Sequence, residues 1–192
     1  LFLAGEGVGS GIVDHDRLLL GNLGIASEVG HISIDFNGPV CECGNRGCLE
    51  LYSSTMALLK RAEKELPELF EKPYENRTQI CHRIFDAARA GDKKALKLVE
   101  EIAEYLGYGC VTLINAYDPE IIVIGDSIAA ADELLLPTIN RIVKERTLEA
   151  ISSHVKIEIS KLSIDPTLYG AAAIATDRVL RKPSEYLTLT KD

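Results

Sequence analysis

One stretch of the sequence, residues 31–50, holds most of the side chains that could do chemistry, and we call it the metal loop. It reads HISIDFNGPVCECGNRGCLE and places His31, Cys41, Cys43 and Cys48 within eighteen residues. Three thiolates and one imidazole are a donor set that zinc takes at closed, tetrahedral structural sites. Calcium and magnesium prefer oxygen ligands. We therefore predict that these four residues hold a structural zinc ion.

Two alternatives stay open for the cysteines, namely a disulfide or three unrelated buried thiols. Cys41 and Cys43 stand two apart, which is too close for easy pairing with each other, and Cys48 alone would be an odd thiol. Glycine and proline let a short loop fold back so that four side chains converge. Such residues separate the candidate ligands, at Gly38, Pro39, Gly44 and Gly47.

The overall composition is that of a globular protein of 192 residues, enough for one domain or one lobe of a larger protein. The net charge is −8, from 29 acidic and 21 basic residues. Nucleic-acid binding needs a basic face, so this segment is not expected to bind DNA by itself. The chain begins at Leu1, directly in a strand-like run, and is expected to be a piece of a longer protein.

Cysteine usage and hydropathy predict a cytoplasmic protein that does not enter a membrane. Three of the five cysteines are clustered, and Cys81 and Cys110 lie far apart in helix-like contexts, which favours a reducing compartment. No apolar run approaches the roughly 18–20 residues that span a bilayer, and the N-terminus has no signal-peptide pattern.

The remaining pattern predicts an α/β fold. Runs of β-branched and apolar residues bounded by turn residues predict strands, and apolar residues at helical spacing predict helices. The predicted strands are Leu1–Leu3, Gly11–Val13, Leu18–Leu20, His31–Asp35, Glu120–Gly125 and Val155–Ser160, and the predicted helices are 49–66, 78–90, 93–116, 128–150 with a kink near Pro137, and one from Leu168.

A glycine-rich turn between the first two strands is a candidate phosphate site. Glycine allows the backbone N–H groups to approach a phosphate closely, but any tight hairpin also uses glycine. Glu6 would repel a phosphate unless a cation lies between them. The candidate residues are Gly5, Gly7, Gly9 and Gly11, together with Gly125 at the end of a later strand.

Two carboxylates flank the metal loop. Glu28 stands three residues before His31, a spacing that can bring both side chains to one pocket at a turn, although a solvated loop carboxylate is the alternative. Glu50 lies in the first turn of a predicted helix, where a carboxylate is also favoured by the helix dipole alone.

In these motifs the chain resembles the ROK family of repressors, open reading frames and sugar kinases. The cysteine-containing motif is the specific one and the others are generic. The matching stretches are GEGVGSGIV (5–13), EVGH (28–31), CECGNRGCLE (41–50), IIVIG (121–125) and LYGAAAIA (168–175). The resemblance implies a C-terminal lobe of the actin-like ATPase and sugar-kinase (ribonuclease H-like) fold with an inserted zinc loop. It also implies that Glu28, His31 and Glu50 face sugar hydroxyls, and that the zinc orients His31.

The chain departs from the kinases of that family. Their catalytic aspartate lies ahead of the first glycine loop, in a segment that precedes Leu1 of this sequence. No catalytic residue is therefore assigned here. Kinases carry threonine at the position of Glu6, glycine at that of Ser10, and a run of glycines where Asp126 and Ser127 stand. These changes disfavour ATP and make the chain more similar to the repressor branch.

The sequence therefore predicts the sugar-sensing, effector-binding part of a ROK-type transcriptional regulator, with a sugar or sugar phosphate as ligand. DNA would be bound only by an upstream domain. The alternatives are the C-terminal half of an ATP-dependent hexose kinase and a zinc-stabilised interaction domain. Residues 1–182 are expected to form a single lobe, followed by a polar tail at 183–192, and the resemblance implies a homodimer or homotetramer.

Overall fold

The computed structural model describes residues 2–71, 73–74, 76–162 and 166–183. The contacts divide the chain into two units, Leu1–Ser160 and Lys161–Asp192. In the first unit the strands are β1 (Phe2–Ala4), β2 (Val8–Ser10), β3 (Val13–Asp14), β4 (Arg17–Leu18), β5 (Ile121–Gly125) and β6 (Lys156–Ile159). Its α-helices are α1 (Glu50–Ser53), α2 (Thr55–Glu65), α3 (Arg77–Arg89), α4 (Lys93–Tyr117), α5 (Leu136–Arg146) and α6 (Glu149–Ser152). Short 3-10 helices cover Val29–His31, Pro67–Leu69 and Ser127–Leu134.

Within the described residues, four strands form a mixed sheet in the order β2-β1-β5-β6, and β3 and β4 form a separate hairpin. β1 is antiparallel to β2 and parallel to β5, with Leu3 opposite Gly125, and β5 is parallel to β6. The carboxyl ends of β1 and β5 therefore meet at one edge of the sheet. This places the turn after Ala4 beside the turn after Gly125.

Helix α4 is the longest helix in the described part of the chain. Asp92 caps its N-terminus, where the side chain accepts hydrogen bonds from the backbone N–H groups of Lys94 and Ala95, and Asp118, in a left-handed conformation, caps its C-terminus. Its buried face includes Leu98, Val99, Ile102, Ala103, Leu106, Cys110, Leu113 and Ile114. A Cβ at Gly109 would lie 2.7 Å from Phe2 and 2.8 Å from Leu49, so glycine permits α4 to pack closely against β1 and against the residue that precedes Glu50.

The buried thiol of Cys110 gives a pH-dependent stability. Burial raises the pKa of Cys110 from 9.0 to about 12. Because the fold favours the neutral thiol, its contribution is complete below pH 9 and is lost as the pH rises from 9 toward 12. Between pH 9 and pH 10.5, the free energy of unfolding of the wild type should fall by about 2 kcal/mol more than that of Cys110→Ala. Urea unfolding at both pH values measures this, and parallel losses in the two proteins would contradict it.

Several predicted elements are confirmed with boundaries shifted by one or two residues. The helices predicted at 78–90 and 93–116 are α3 and α4, and the strands predicted at 120–125 and 155–160 are β5 and β6. The mixed α/β class is confirmed as well. The first hairpin was predicted in outline, but its second strand is β2 and not Gly11–Val13.

Three further predicted elements are wrong. His31–Asp35 forms no strand, because Val29–His31 is a 3-10 turn and only Ser33 makes an isolated bridge. The helix predicted at 49–66 is broken at Ser54, which has an extended backbone and caps α2 by accepting from Ala57 N. The helix predicted at 128–150 is divided into three helices: Leu135 separates the 3-10 helix from α5, and extended Thr147 ends α5, while Asp132, with a φ of 41°, kinks the 3-10 helix itself.

The second unit contains α7 (Pro166–Arg181), which includes the whole LYGAAAIA motif. Arg181 donates to the Asp177 carboxylate one turn earlier. Helix α7 begins two residues before the helix that was predicted from Leu168. Most of the predicted tail at 183–192 lies outside the described residues, and the boundary of a single lobe at 182 stays a prediction. None of the described helices combines the length and apolar character that a bilayer-spanning segment needs.

Candidate metal and ligand site

The four predicted metal ligands converge. Their donor atoms all lie within 4.8 Å of one another. His31 Nδ1 is 3.7 Å from Cys41 Sγ, and Cys43 Sγ is 3.6 Å from Cys48 Sγ. Tetrahedral zinc, with bonds of about 2.3 Å to sulfur and about 2.0 Å to nitrogen, separates its ligand atoms by about 3.5–3.8 Å. The donor set and its spacing therefore fit a zinc ion, and the described cysteines contain no disulfide.

The backbone of the metal loop folds back on itself and brings the ligands together. Ile34 N donates to Gly47 O at 2.8 Å, and Leu49 N donates to Ile32 O at 3.0 Å. Gly47 has a φ of +61°, and a Cβ there would collide with the carbonyl oxygen of Asp35. Glycine is thus required at this position both for its backbone conformation and for the close approach of the two segments.

The thiols of the loop differ in their readiness to ionise. Burial, followed by the neighbouring thiols Cys41 and Cys43, raises the pKa of Cys48 to about 12. A backbone hydrogen bond from Asn45 lowers the pKa of exposed Cys43. Zinc binds thiolates, so its binding must displace protons and should tighten as the pH rises.

These differences predict an order of alkylation in metal-free protein. Iodoacetamide attacks the thiolate, so Cys43 is expected to react before Cys48, while Cys81 and Cys110 react only after unfolding because both are buried. Peptide mass spectrometry after timed alkylation measures the order. Reaction of Cys48 ahead of Cys43 would contradict the arrangement of the loop.

Glu50 links the metal loop to the glycine turn. It is the first residue of α1, where the helix dipole favours a carboxylate, and its Oε2 accepts a hydrogen bond of 2.9 Å from Val8 N. A Cβ at Gly7 would lie 2.5 Å from the same oxygen, so the carboxylate lies directly against the turn. Among the described residues nothing bonds to Glu50 Oε1, and this oxygen is available to a ligand.

Glu28 and His31 lie at the two ends of the Val29–His31 turn. This turn packs on β2, where the backbone of Gly30 contacts Val8 O so closely that a Cβ would collide. Glu28 is exposed and makes no side-chain cap bond. Because His31 presents Nδ1 to Cys41, its Nε2 is directed to the other side of the ring.

A cavity of about 560 Å³ opens beside Glu50. Cys41 and Glu50 line it, whereas neither Glu28 nor His31 does, so the structure places one of the three predicted sugar contacts on this cavity. Its other lining residues are Glu6, Glu42, Leu51, Ser54, Met56, Ala57, Leu59, Lys60, Glu63, Phe70, Tyr74, Arg77 and Ile80.

The candidate phosphate loop is surrounded by carboxylates. Gly5 N donates to Gly7 O at 2.9 Å, and Val8 N is occupied by Glu50. The Asp126 carboxylate lies against Gly5 from the neighbouring turn, where a Cβ would clash with it. Gly9 lies within β2, and Gly11 follows that strand.

Two residues near the metal loop and the cavity, Arg77 and Tyr52, were not singled out by the sequence. Arg77 forms an ion pair of 2.9 Å with Glu6 across 71 positions of sequence, a separation that no local pattern reveals. Tyr52 donates to Asp35 at 3.3 Å and its ring lies 4.9 Å from that of Tyr105, so it joins α1 to the metal loop and to α4. The position of Tyr52, two residues after Glu50, was the available signal.

Comparison with known proteins identifies the family. The ROK family model matches residues 1–178, and the chain belongs to this family. It is 36% identical over 183 residues to the xylose repressor of Caldicellulosiruptor bescii, covering 93% of this chain and 46% of the repressor. It is 32% identical over 180 residues to the glucokinase of Thermotoga maritima, covering 91% of this chain and 57% of the kinase.

The fold agrees with that assignment. The solved structure of a ROK family transcriptional regulator, a homologue of the E. coli MLC protein, has a TM-score of 0.72 and 31% identity, with 84% of this chain and 41% of that chain covered. The chain thus spans about half the length of the relatives that it matches. The fold is that of the ROK regulators and sugar kinases, an actin-like ATPase fold.

Proposed function

We propose that the chain is the sugar-sensing part of a ROK-type transcriptional regulator, with Glu28, His31 and Glu50 as sugar contacts. The observation that supports this proposal most strongly is the position of Glu50. Its carboxylate lines a cavity and accepts a hydrogen bond from Val8 N, while Oε1 has no partner among the described residues. A fixed carboxylate accepts hydrogen bonds from sugar hydroxyls and penalises a ligand that lacks them.

A structural zinc ion held by His31, Cys41, Cys43 and Cys48 belongs to the same proposal. Bound through Nδ1, the imidazole keeps a proton on Nε2, which can donate to a sugar oxygen. When bound, zinc supplies rigidity and performs no chemistry on the ligand. The metal loop ends at Leu49 and Glu50, so fixing the loop fixes the start of α1 and its carboxylate.

Two features argue that this chain does not transfer phosphate. The carboxylates of Glu6 and Asp126 border the glycine turn, where they would repel a polyphosphate. The amide groups of Gly5 and Val8 already donate within the protein and are not free to bind phosphate oxygens. We assign no catalytic residue to the chain.

DNA binding and assembly are proposed for the whole protein. The net charge of −8 makes this chain a poor DNA ligand, so a separate upstream domain would bind the operator. The sugar would act by preferring one arrangement of the two lobes in a cytoplasmic homodimer or homotetramer, which shifts the DNA-binding geometry.

The second candidate, half of an ATP-dependent hexose kinase, is favoured by the glucokinase relative, whose identity of 32% is close to that of the repressor. A coupled ADP-release assay separates the two functions. Full-length protein with ATP, magnesium and a panel of hexoses, pentoses and N-acetylhexosamines is expected to release ADP at the background rate. Steady sugar-dependent ADP release would overturn the sensor proposal.

A further inference from the structure

The cavity beside Glu50 is acidic. Its lining contains four carboxylates and two cations, which leaves an excess of negative charge where a ligand would lie. Asp126 adds a further carboxylate at Gly5, outside the lining but against the same turn. The four lining carboxylates are Glu6, Glu42, Glu50 and Glu63, and the two cations are Lys60 and Arg77.

One of the two cations is already compensated. Arg77 Nη1 donates to Glu6 Oε1 at 2.9 Å, so the pair joins the glycine turn to the first residue of α3 in the wall of the cavity. Side-chain exposures of 54% for Arg77 and 69% for Glu6 show that the pair stands in solvent and adds little to stability. The exposure of the Glu6–Arg77 pair therefore favours a role in ligand choice over a role in folding.

We propose that the Glu6–Arg77 pair makes this site selective for an uncharged sugar and excludes sugar phosphates. The inference rests on the sugar-sensing function proposed above and assigns a ligand class within it. Glu6 repels a phosphate ester and at the same time occupies the guanidinium that would otherwise bind it. Phe70 and Tyr74, whose rings lie 6.4 Å apart edge to face, give the same cavity an apolar wall against which an uncharged pyranose can pack.

The two members of the pair should act in opposite directions. In Glu6→Gln one negative charge is removed and Arg77 is released, so phosphate ligands gain affinity relative to their parent sugars. In Arg77→Gln the carboxylate remains uncompensated, so the discrimination against phosphate grows. A general loss of structure would weaken the sugar and its phosphate ester together. It would not move the ratio of their affinities in opposite directions in the two variants.

Isothermal titration of the full-length protein tests this selectivity. The ligands are D-xylose, D-glucose, N-acetyl-D-glucosamine, glucose 6-phosphate and N-acetylglucosamine 6-phosphate. We expect each phosphate ester to bind at least tenfold more weakly than its parent sugar. If D-xylose is the only sugar that binds, we expect neither ester to bind. Glu6→Gln should shrink this ratio about fivefold and Arg77→Gln should enlarge it, with the titration extended to millimolar ligand so that weak binding of the ester is measured.

The matched control is Glu133→Gln, which removes a comparable exposed ion pair of 2.9 Å with Arg89 and lies outside the cavity lining. It should leave the ratio unchanged. Binding of a phosphate ester as tightly as its parent sugar would overturn the charge selectivity while leaving sugar sensing intact. Failure of every sugar and every ester to bind would overturn the proposed function and this inference with it.

Discussion

Replacing Cys48 with serine is expected to remove the metal and to lower the free energy of unfolding by about 3 kcal/mol or more, because metal binding and loop folding are coupled. Cys48 is fully buried, its Sγ lies 3.6 Å from Cys43 Sγ, and serine is a poor zinc ligand. Metal analysis should return about one zinc per wild-type chain and much less for the variant. Urea unfolding of the same preparations gives the free energy.

The matched control is Cys110→Ser, which makes the same chemical change at another fully buried cysteine away from the metal loop. A buried hydroxyl also destabilises, so the control is expected to unfold more easily while its zinc content stays at the wild-type value. Wild-type zinc content in the Cys48 variant, or folded wild-type protein that binds no zinc when zinc is supplied, would contradict the metal assignment.

Glu50→Gln is expected to weaken sugar binding about tenfold to a hundredfold, which corresponds to about 1.4–2.7 kcal/mol. Glutamine keeps an acceptor for Val8 N but replaces the charged oxygen that is available to the ligand. The change therefore removes the charge-assisted hydrogen bond while the contact with the glycine turn can persist. Isothermal titration of the sugar that binds the full-length wild type measures the effect.

Glu63→Gln serves as the control for this charge. Glu63 also lines the cavity, but it stands on α2 and is exposed, so its replacement should change sugar affinity less than threefold. Equal losses in the two variants would mean that only the net charge of the cavity matters. Unchanged affinity in Glu50→Gln would remove Glu50 from the sugar contacts.

The elements with a strong periodic signal were predictable from sequence. The apolar face of α4 repeats over seven turns, and Asp92 and Pro119 mark its ends, so the prediction at 93–116 differs from the observed helix by one residue. The continuous apolar run of β5 was equally clear. In α4 and β5, local propensity and the pattern of burial indicate the same secondary structure.

The failures occurred where local hydrogen bonds decide the structure. Ser54 suits a helix by spacing, yet its side chain caps α2 and its backbone is extended, so one predicted helix becomes two. The apolar alternation of His31–Asp35 suits a strand, but its backbone groups are used in closing the metal loop. Apolar spacing alone does not contain this information.

The candidate site shows the same division. Four residues that could hold a metal ion lie close together in sequence, and their convergence was predicted from residue type and spacing alone. The Glu6–Arg77 pair and the bond from Val8 N to Glu50 join distant segments, and only the fold brings them together. The position of Glu28 and His31 outside the cavity lining could not be seen in the sequence either.

In the proposed function the metal loop holds a sugar-binding carboxylate, that of Glu50, in place. This role of the metal loop is tested most directly by titrating the effector sugar into full-length protein before and after zinc removal, with circular dichroism confirming that the helices persist. Sugar binding is expected to weaken at least tenfold without zinc and to return when zinc is restored. The same affinity in metal-free, folded protein would contradict it.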